Sequence, residues 1–272
     1  MNFGKLFFIT YQLWKSTFSF ANIYSLYRHD GQSNWRKVRS ALTASTTEAI
    51  ESYYAPLFKQ GATIVPRSFY LVESEQGLPD ELAGRIMPFK TSTSILREAK
   101  MPWKALTLSG RINTHFLFYT ALAKNIVPFT LINPPLVLLP IVIKENNGKV
   151  IELKSADELF EQGQIETAKW FKKAEQLWDD NKTEKAKQNR MTLYQRLNFQ
   201  RGITEQNINL RYLVLYTASA QDASAVIIDR KQLELEFIIE SKAYWFATNH
   251  SEEAYYFISV SRRRKGTAPK LI

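Results

Sequence analysis

The sequence predicts an α+β fold, with mixed sheet elements around one long amphipathic helix. Three observations carry that expectation. They are a capped stripe of apolar residues that starts at Ser155, an apolar run over 127–143 broken by four prolines, and a last third rich in β-branched and aromatic residues. A chain of 272 residues, 45% apolar and 23% charged, is long enough for one large domain or two modest ones. A globule of that size buries roughly three quarters of its unfolded surface, so disorder over the whole length is excluded.

Residues 1–42 are aromatic and irregular, with a turn signal at His29-Asp30-Gly31. Phe3, Leu6, Phe7, Phe8 and Ile9 are interrupted by Lys5, Gln12 and Lys15, and no small-residue cleavage site follows. The segment therefore reads as neither a secretory signal nor a membrane span. A helix is expected over 43–58: Ser45 or Thr46 can cap it, and Glu48 lies in the first turn, where the helix dipole favours an anion. Gly61 then stops it. Residues 62–72 read as a strand interrupted at Pro66, 77–80 as a turn, 85–111 as a basic, loop-rich tract and 112–122 as an apolar segment. The run 127–143, VPFTLINPPLVLLPIVI, approaches a membrane-spanning length. Pro128, Pro134, Pro135 and Pro140 decide against a helix, because each removes a backbone donor and clashes with the preceding turn, at about 3 kcal/mol apiece in a helix interior. Buried extended segments that break at the Pro-Pro pair fit better.

The long helix is expected over about 155–189. Ser155 and Glu158 have capping-box spacing, in which each side chain satisfies a backbone N–H at the helix start. Phe160, Ala168, Phe171, Ala174 and Trp178 recur at helical spacing on one face, with Glu161, Glu166, Lys172 and Lys173 on the other. Past Asp179-Asp180 the charge changes sign: six cations against the single acid Glu184 give residues 182–201 a net charge of +5. Such a shift marks a junction or a contact surface. Residues 210–216 and 225–228 then read as strands, and Leu233, Leu235 and Phe237 alternate with Glu234 and Glu236 as in a strand with one wet face. Glu240-Ser241-Lys242 turns into Tyr244, Trp245 and Phe246. Asn249 and Glu252 again have cap spacing, ahead of a helix over 253–260. Residues 261–272, with Arg262-Arg263-Arg264-Lys265, read as a disordered basic tail.

Thirty-six Lys and Arg against 26 Asp and Glu leave a formal charge of +10, which makes a polyanion the first partner to test. There is no cysteine, so disulfides, thiolate zinc sites, iron–sulfur clusters and a cysteine nucleophile are excluded. His29, His115 and His250 have no second histidine at ligand spacing, and no metal is expected. The ten glycines form neither G-x-G-x-x-G nor G-x-x-x-x-G-K-[ST], and there is no G-x-S-x-G or H-E-x-x-H. Glu252-Glu253 and Asp179-Asp180 read as solvated helix surface, since paired catalytic carboxylates converge from different elements. With neither a targeting signal nor a span, a soluble cytoplasmic protein is expected.

Asn133-Pro134-Pro135-Leu136 invites a catalytic reading. In adenine and cytosine amino-methyltransferases, an Asn/Asp-Pro-Pro-aromatic loop holds the exocyclic amine while the aromatic ring stacks on the flipped base. Leu136 cannot stack in that way, and the methyl-donor loop that should precede it on a strand is missing. A proline-kinked core segment is the expected role.

At 58–70, FKQGATIVPRSFY, the sequence resembles the C-terminal target-recognition (specificity) region of large adenine-specific (N6) DNA methyltransferases of restriction-modification systems. Further blocks follow in order: 110–129, ending in Val-Pro-Phe; 136–141, LVLLPI; 196–207, RLNFQRGITEQN; 225–229; and 244–260, YWFATNHSEEAYYFISV. Together they cover residues 50–260. The resemblance implies a target-recognition-like domain over 43–260, with the methyltransferase domain and its donor-binding glycine loop outside this chain. It implies duplex DNA as partner, a separate methyltransferase chain as a second partner, and S-adenosylmethionine as the cofactor of that other domain. No cofactor and no catalytic residue are then expected here. Past Val260 the family continues into a Leu-Asn-Ser turn, where this chain reads Ser261-Arg262-Arg263-Arg264-Lys265, as a truncated end would.

Arg, Lys, Asn and Gln grip phosphates and read base edges, Arg bidentate to guanine and Asn or Gln to adenine. Arg196, Asn198, Gln200, Arg201, Gln206 and Asn207 bring these types together within twelve residues, and Arg190 precedes them in the same tract. The other reading of this cluster is a solvated helix–loop surface. Arg67, in the best-matched block, contacts phosphate or salt-bridges the edge of the core. Lys90, Lys100, Lys104 and Arg111 lie in the other basic tract, while Trp170 and Phe171 read as core. The expected function is sequence-specific duplex DNA binding for an adenine methyltransferase. One alternative is a degenerate gene fragment without function, and another is a small complete N6-adenine methyltransferase using Asn133-Pro134-Pro135. A third is an RNA-binding protein, which the charge allows but which lacks the glycine-aromatic signatures of the common single-strand modules.

Overall fold

The computed structural model describes residues 25–28, 35–38, 54–79, 82, 84–188, 190–218 and 224–261. The chain divides into two units, 1–58 with 270–272 and 59–269. In the first, β1 (Ser25–Arg28) pairs antiparallel with β2 (Trp35–Val38), so part of the stretch expected to be irregular forms a ladder. The turn signal at 29–31 lies outside the described residues. So does most of the helix expected over 43–58, whose described end is a 3-10 turn at Ala55–Leu57 that carries Pro56 in its first positions.

The second unit is mixed α and β. In chain order come β3 (Lys59–Gln60), α1 (Arg67–Tyr70), β4 (Leu71–Ser74), β5 (Ile86–Thr91), α2 (Thr93–Glu98), β6 (Ser109–Asn113) and β7 (Leu117–Tyr119). A ribbon of β8 (Ile126–Val127) and β9 (Thr130–Leu131) precedes β10 (Leu136–Leu138) and the hairpin of β11 (Ile141–Glu145) with β12 (Lys149–Leu153). Helices α3 (Ala156–Glu161), α4 (Ile165–Asn181), α5 (Glu184–Gln188) and α6 (Leu193–Leu197) follow. The remainder is β13 (Tyr212–Thr217), β14 (Ala225–Asp229), β15 (Ala243–Thr248) and α7 (Ser251–Ser261). One antiparallel sheet has the order β6-β5-β4-β10-β7 and a second has β14-β13-β15-β3.

The proline-broken run is extended, as its sequence predicts, and breaks at Pro134-Pro135. Leu136, Val137 and Leu138 are all buried, which suits a strand with neighbours on both sides and cover on both faces. The capping box is also present: Ser155 N–H donates to the Glu158 carboxylate at 2.7 Å, and Glu158 N–H donates to Ser155 Oγ at 3.2 Å. Ala168, Phe171, Ala174 and Trp178 form the buried stripe of α4. Beside them Trp170 donates its Nε1–H to the Phe69 carbonyl at 3.0 Å, which fixes the helix to α1.

Further expectations need correction. The single helix over 155–189 is three helices. Gly163, at φ +76°, ends α3 in the left-handed conformation that glycine adopts without a Cβ clash, and Lys182 is extended. The interruption rotates Phe160 out of the stripe, leaving it 50% exposed. Within the segment read as strand over 62–72, residues 67–70 make a helical turn, opened by Pro66 with Phe69 N–H bonded to the Pro66 carbonyl. Their aromatic composition reflects burial, not pairing. The tract 85–111, read as loop-rich, contains β5, α2 and most of β6. Finally, Asn249 does not cap the last helix with Glu252, because its Oδ1 accepts from Arg211 N–H at 3.0 Å.

The alternating segment 233–237 is not a strand of either sheet. After a 3-10 turn at Arg230–Gln232, it leads into a strap that makes isolated parallel bridges, Phe237 to Tyr119 and Glu240 to Ala62. Tyr119 belongs to the edge strand β7 of one sheet, and Ala62 follows the edge strand β3 of the other. The strap therefore ties the two sheets together. Gly61 lies so close to it that a Cβ there would stand 2.4 Å from the Glu240 carbonyl oxygen.

Candidate nucleic-acid interface

The two basic tracts meet at one groove. Its walls come from Pro66–Ser68 at the start of α1, Glu98–Lys100 at the end of α2, Trp103 in a 3-10 turn, Trp178 near the end of α4, and Arg196 on α6. The groove encloses about 540 Å³. Each wall is placed by a local device. Phe69 packs edge-on against Trp103, with ring centroids 5.7 Å apart. Trp103 in turn stacks on Trp178 at 5.5 Å and an interplanar angle of 15°. Trp178 donates Nε1–H to the Met191 carbonyl at 3.0 Å, which holds the lead-in to α6 against the end of α4. The Thr192–Gln195 capping box then starts α6, with Arg196 one residue past it.

The electrostatics of the groove are one-sided. Arg67 donates to Glu240, and Glu98 pairs with Lys124, so both of those charges are compensated. Lys100 and Arg196 have no carboxylate partner among the described residues, and neither does Lys104, in the same 3-10 turn as Trp103. The Arg196 guanidinium lies 5.7 Å from the centroid of the Phe199 ring, a cation–π contact that leaves its charge uncancelled.

The sequence-predicted residues divide into three sets. Arg67 and Arg196 come together in the groove, although Arg67 is turned to Glu240 at 2.6 Å, its salt-bridge reading rather than its phosphate reading. Lys104, Arg190, Gln200 and Arg201 are exposed. Arg190, Gln200 and Arg201 have positive φ, and Arg201 is shared with Glu205 at 3.4 Å. Lys90 lies 3.7 Å from Glu73. Burial raises the Glu73 pKa, but the hydroxyl and N–H of Thr93 and then Lys90 outweigh it and hold the carboxyl below its ordinary range. Arg111 is exposed on β6 and reaches the Ile86 carbonyl at 3.4 Å.

The last set is structural. Asn198 closes its own turn, its Oδ1 accepting from Ile203 N–H and Thr204 N–H. Asn207 accepts from Asn209 N–H at 3.0 Å. Gln206 is buried and faces the strap: it donates to the carbonyls of Gly202 and Ile239 and accepts from Ile239 N–H at 2.8 Å. It has no edge left to read a base. The sequence reading missed the aromatic floor. The signal was Trp103 set between Lys100 and Lys104, an aromatic interleaved with cations.

Asn133, at φ +44°, is exposed, and Asn125 donates to its carbonyl at 3.0 Å. Leu136 enters the sheet directly after the two prolines, the core role expected of this motif. Among the described residues, no group of three or more His, Asp or Glu could hold a metal ion, and no helix is long and apolar enough to cross a membrane. Neither a protein-family model nor a curated protein sequence matches the chain.

Proposed function

We propose that the chain binds duplex DNA sequence-specifically, as the target-recognition part of an adenine-specific methyltransferase whose catalytic domain is a separate chain. The observation that carries this reading is the convergence of two basic tracts, distant in sequence, on one groove where neither Lys100 nor Arg196 is paired with a carboxylate among the described residues, Glu98 of the same wall being held by Lys124. Phosphate contacts position such a surface, and base contacts specify its target. Gln200 and Arg201, exposed in the turn after α6, have the donor sets that read adenine and guanine edges in the major groove. The ordered blocks of resemblance favour DNA over other polyanions.

A fluorescence-anisotropy titration of a labelled duplex tests the reading. If about six phosphates are contacted, log affinity falls with log salt at a slope of about −5. Lys100→Ala is expected to weaken all sequences alike and to reduce the slope by about one, whereas Arg201→Ala relaxes preference at one position at a cost of about 1–3 kcal/mol. No binding at low salt, or a slope near zero, overturns the proposal. In the same reading S-adenosylmethionine belongs to the partner. Equilibrium dialysis of this chain against it is expected to show no binding, and binding would favour a complete methyltransferase built on Asn133.

A further inference from the structure

We infer that the β11–β12 hairpin is a second reading element of the DNA surface, with the carboxamides of Asn146 and Asn147 at base edges in the major groove and Lys149 at a phosphate. The inference rests on the DNA reading above and adds a further set of specificity residues to it. The ladder runs from Ile141 opposite Leu153 to Glu145 opposite Lys149, and residues 144–150 are all exposed, so its outer end stands free of the core. Neither Asn146 nor Asn147 uses its side chain in a hydrogen bond among the described residues. Each keeps the donor and acceptor that read adenine. Lys149 has no ion-pair partner among those residues either, although Glu145 lies across the ladder from it. A two-stranded ribbon of this kind fits a major groove about 12 Å wide.

The hairpin also lies beside the residues already proposed to read DNA. Its base is held to α6 by Tyr194, whose hydroxyl donates to the Leu153 carbonyl at 3.1 Å. Its tip is held by Asn209, which accepts from the Lys149 N–H and donates to the Lys149 carbonyl at 3.0 Å. β12 therefore runs along the block 194–209, which carries Arg196, Gln200 and Arg201. Asn147 and Gly148 both have positive φ, as such a turn requires. Turn chemistry accounts for those two residues but not for a brace from another segment. The brace fixes the tip before DNA arrives, which lowers the ordering cost of binding. Arg211 and Lys231 line the cleft behind the tip with Lys149, while Glu236, an acid of the same cleft, is paired with Arg230.

The test selects bound duplexes from a pool with a randomised central stretch and sequences them. Three proteins are compared: the wild type, a double variant carrying Asn146→Ala with Asn147→Gly, and Lys149→Ala. Glycine keeps the positive φ of the turn. The wild type is expected to enrich a motif, and the double variant should lose some of its positions while keeping those read by Gln200 and Arg201. On a duplex of the wild-type motif, a base-pair change at a lost position should weaken the wild type at least about fivefold and the double variant about twofold at most. Lys149→Ala should keep the whole motif and reduce the salt slope by about one. A double variant that enriches the full wild-type motif overturns the hairpin reading and leaves the DNA reading standing. Should that variant not fold, Lys149→Ala decides, and an unchanged slope overturns the hairpin contact. No motif from the wild type overturns both.

Discussion

Arg67→Met is expected to lower the unfolding free energy by about 3–5 kcal/mol, because it strands a buried carboxylate. Glu240 is 0% exposed and receives Arg67 Nη2 at 2.6 Å, Ser241 Oγ at 3.1 Å and Lys242 N–H at 2.8 Å. Without the guanidinium, two hydrogen bonds remain but no counter-charge. The carboxylate also sits on the strap that bridges to Ala62, so its strain falls on the contact between the two sheets. Glu240→Gln in the same chain removes the charge, keeps an acceptor for Lys242 N–H, and should restore most of the loss. Glu240→Gln alone should cost less than Arg67→Met, since the Arg67 side chain is 26% exposed and can reach water. Urea unfolding of the four proteins, followed by circular dichroism, gives the double-mutant cycle. A loss below about 1 kcal/mol for Arg67→Met, or additive single effects, would contradict the pairing.

Arg67 also shows how far the sequence was legible. Its block was the clearest part of the resemblance, and the residue had two readings, phosphate contact or core-edge salt bridge. The choice depended on Glu240, far along the chain in a segment read as a turn into Tyr244, Trp245 and Phe246. Local signals read correctly: the Ser155–Glu158 box, the proline breaks of 127–143, and the strands around Leu213, Ile227 and Trp245. Those depend on spacing within a few residues. What failed depended on context. Phe160 kept the apolar period of α4 but lies beyond a glycine turn, and periodicity alone cannot tell a turn from a continued helix. The groove has the same limit. Two net-positive tracts were visible, but their meeting across Trp103 and Trp178 is a tertiary fact.

Gln206→Ala separates the structural set most sharply from the residues proposed to read DNA. Cut back to alanine, the residue leaves the buried Ile239 N–H without its acceptor and removes a donor from the Gly202 carbonyl. The Ile239 carbonyl keeps its bond from Ala62 N–H at 2.8 Å. With about 1–3 kcal/mol for each buried group left unpaired, the expected loss is about 2–4 kcal/mol of stability. Its preference among DNA sequences should not change, because both ends of the amide are spent inside the fold. Gln200, six residues earlier and exposed, should show the opposite pattern. Gln200→Ala is expected to keep the wild-type urea midpoint within about 0.5 kcal/mol, as surface substitutions do, while losing about 1–3 kcal/mol of discrimination at one base pair if that residue reads an adenine. The two variants carry the same chemical change in one twelve-residue block, so only their partners distinguish them. A Gln206→Ala protein that unfolds at the wild-type urea concentration but prefers a different sequence would return Gln206 to the interface and remove the strap's anchor from the account of the fold.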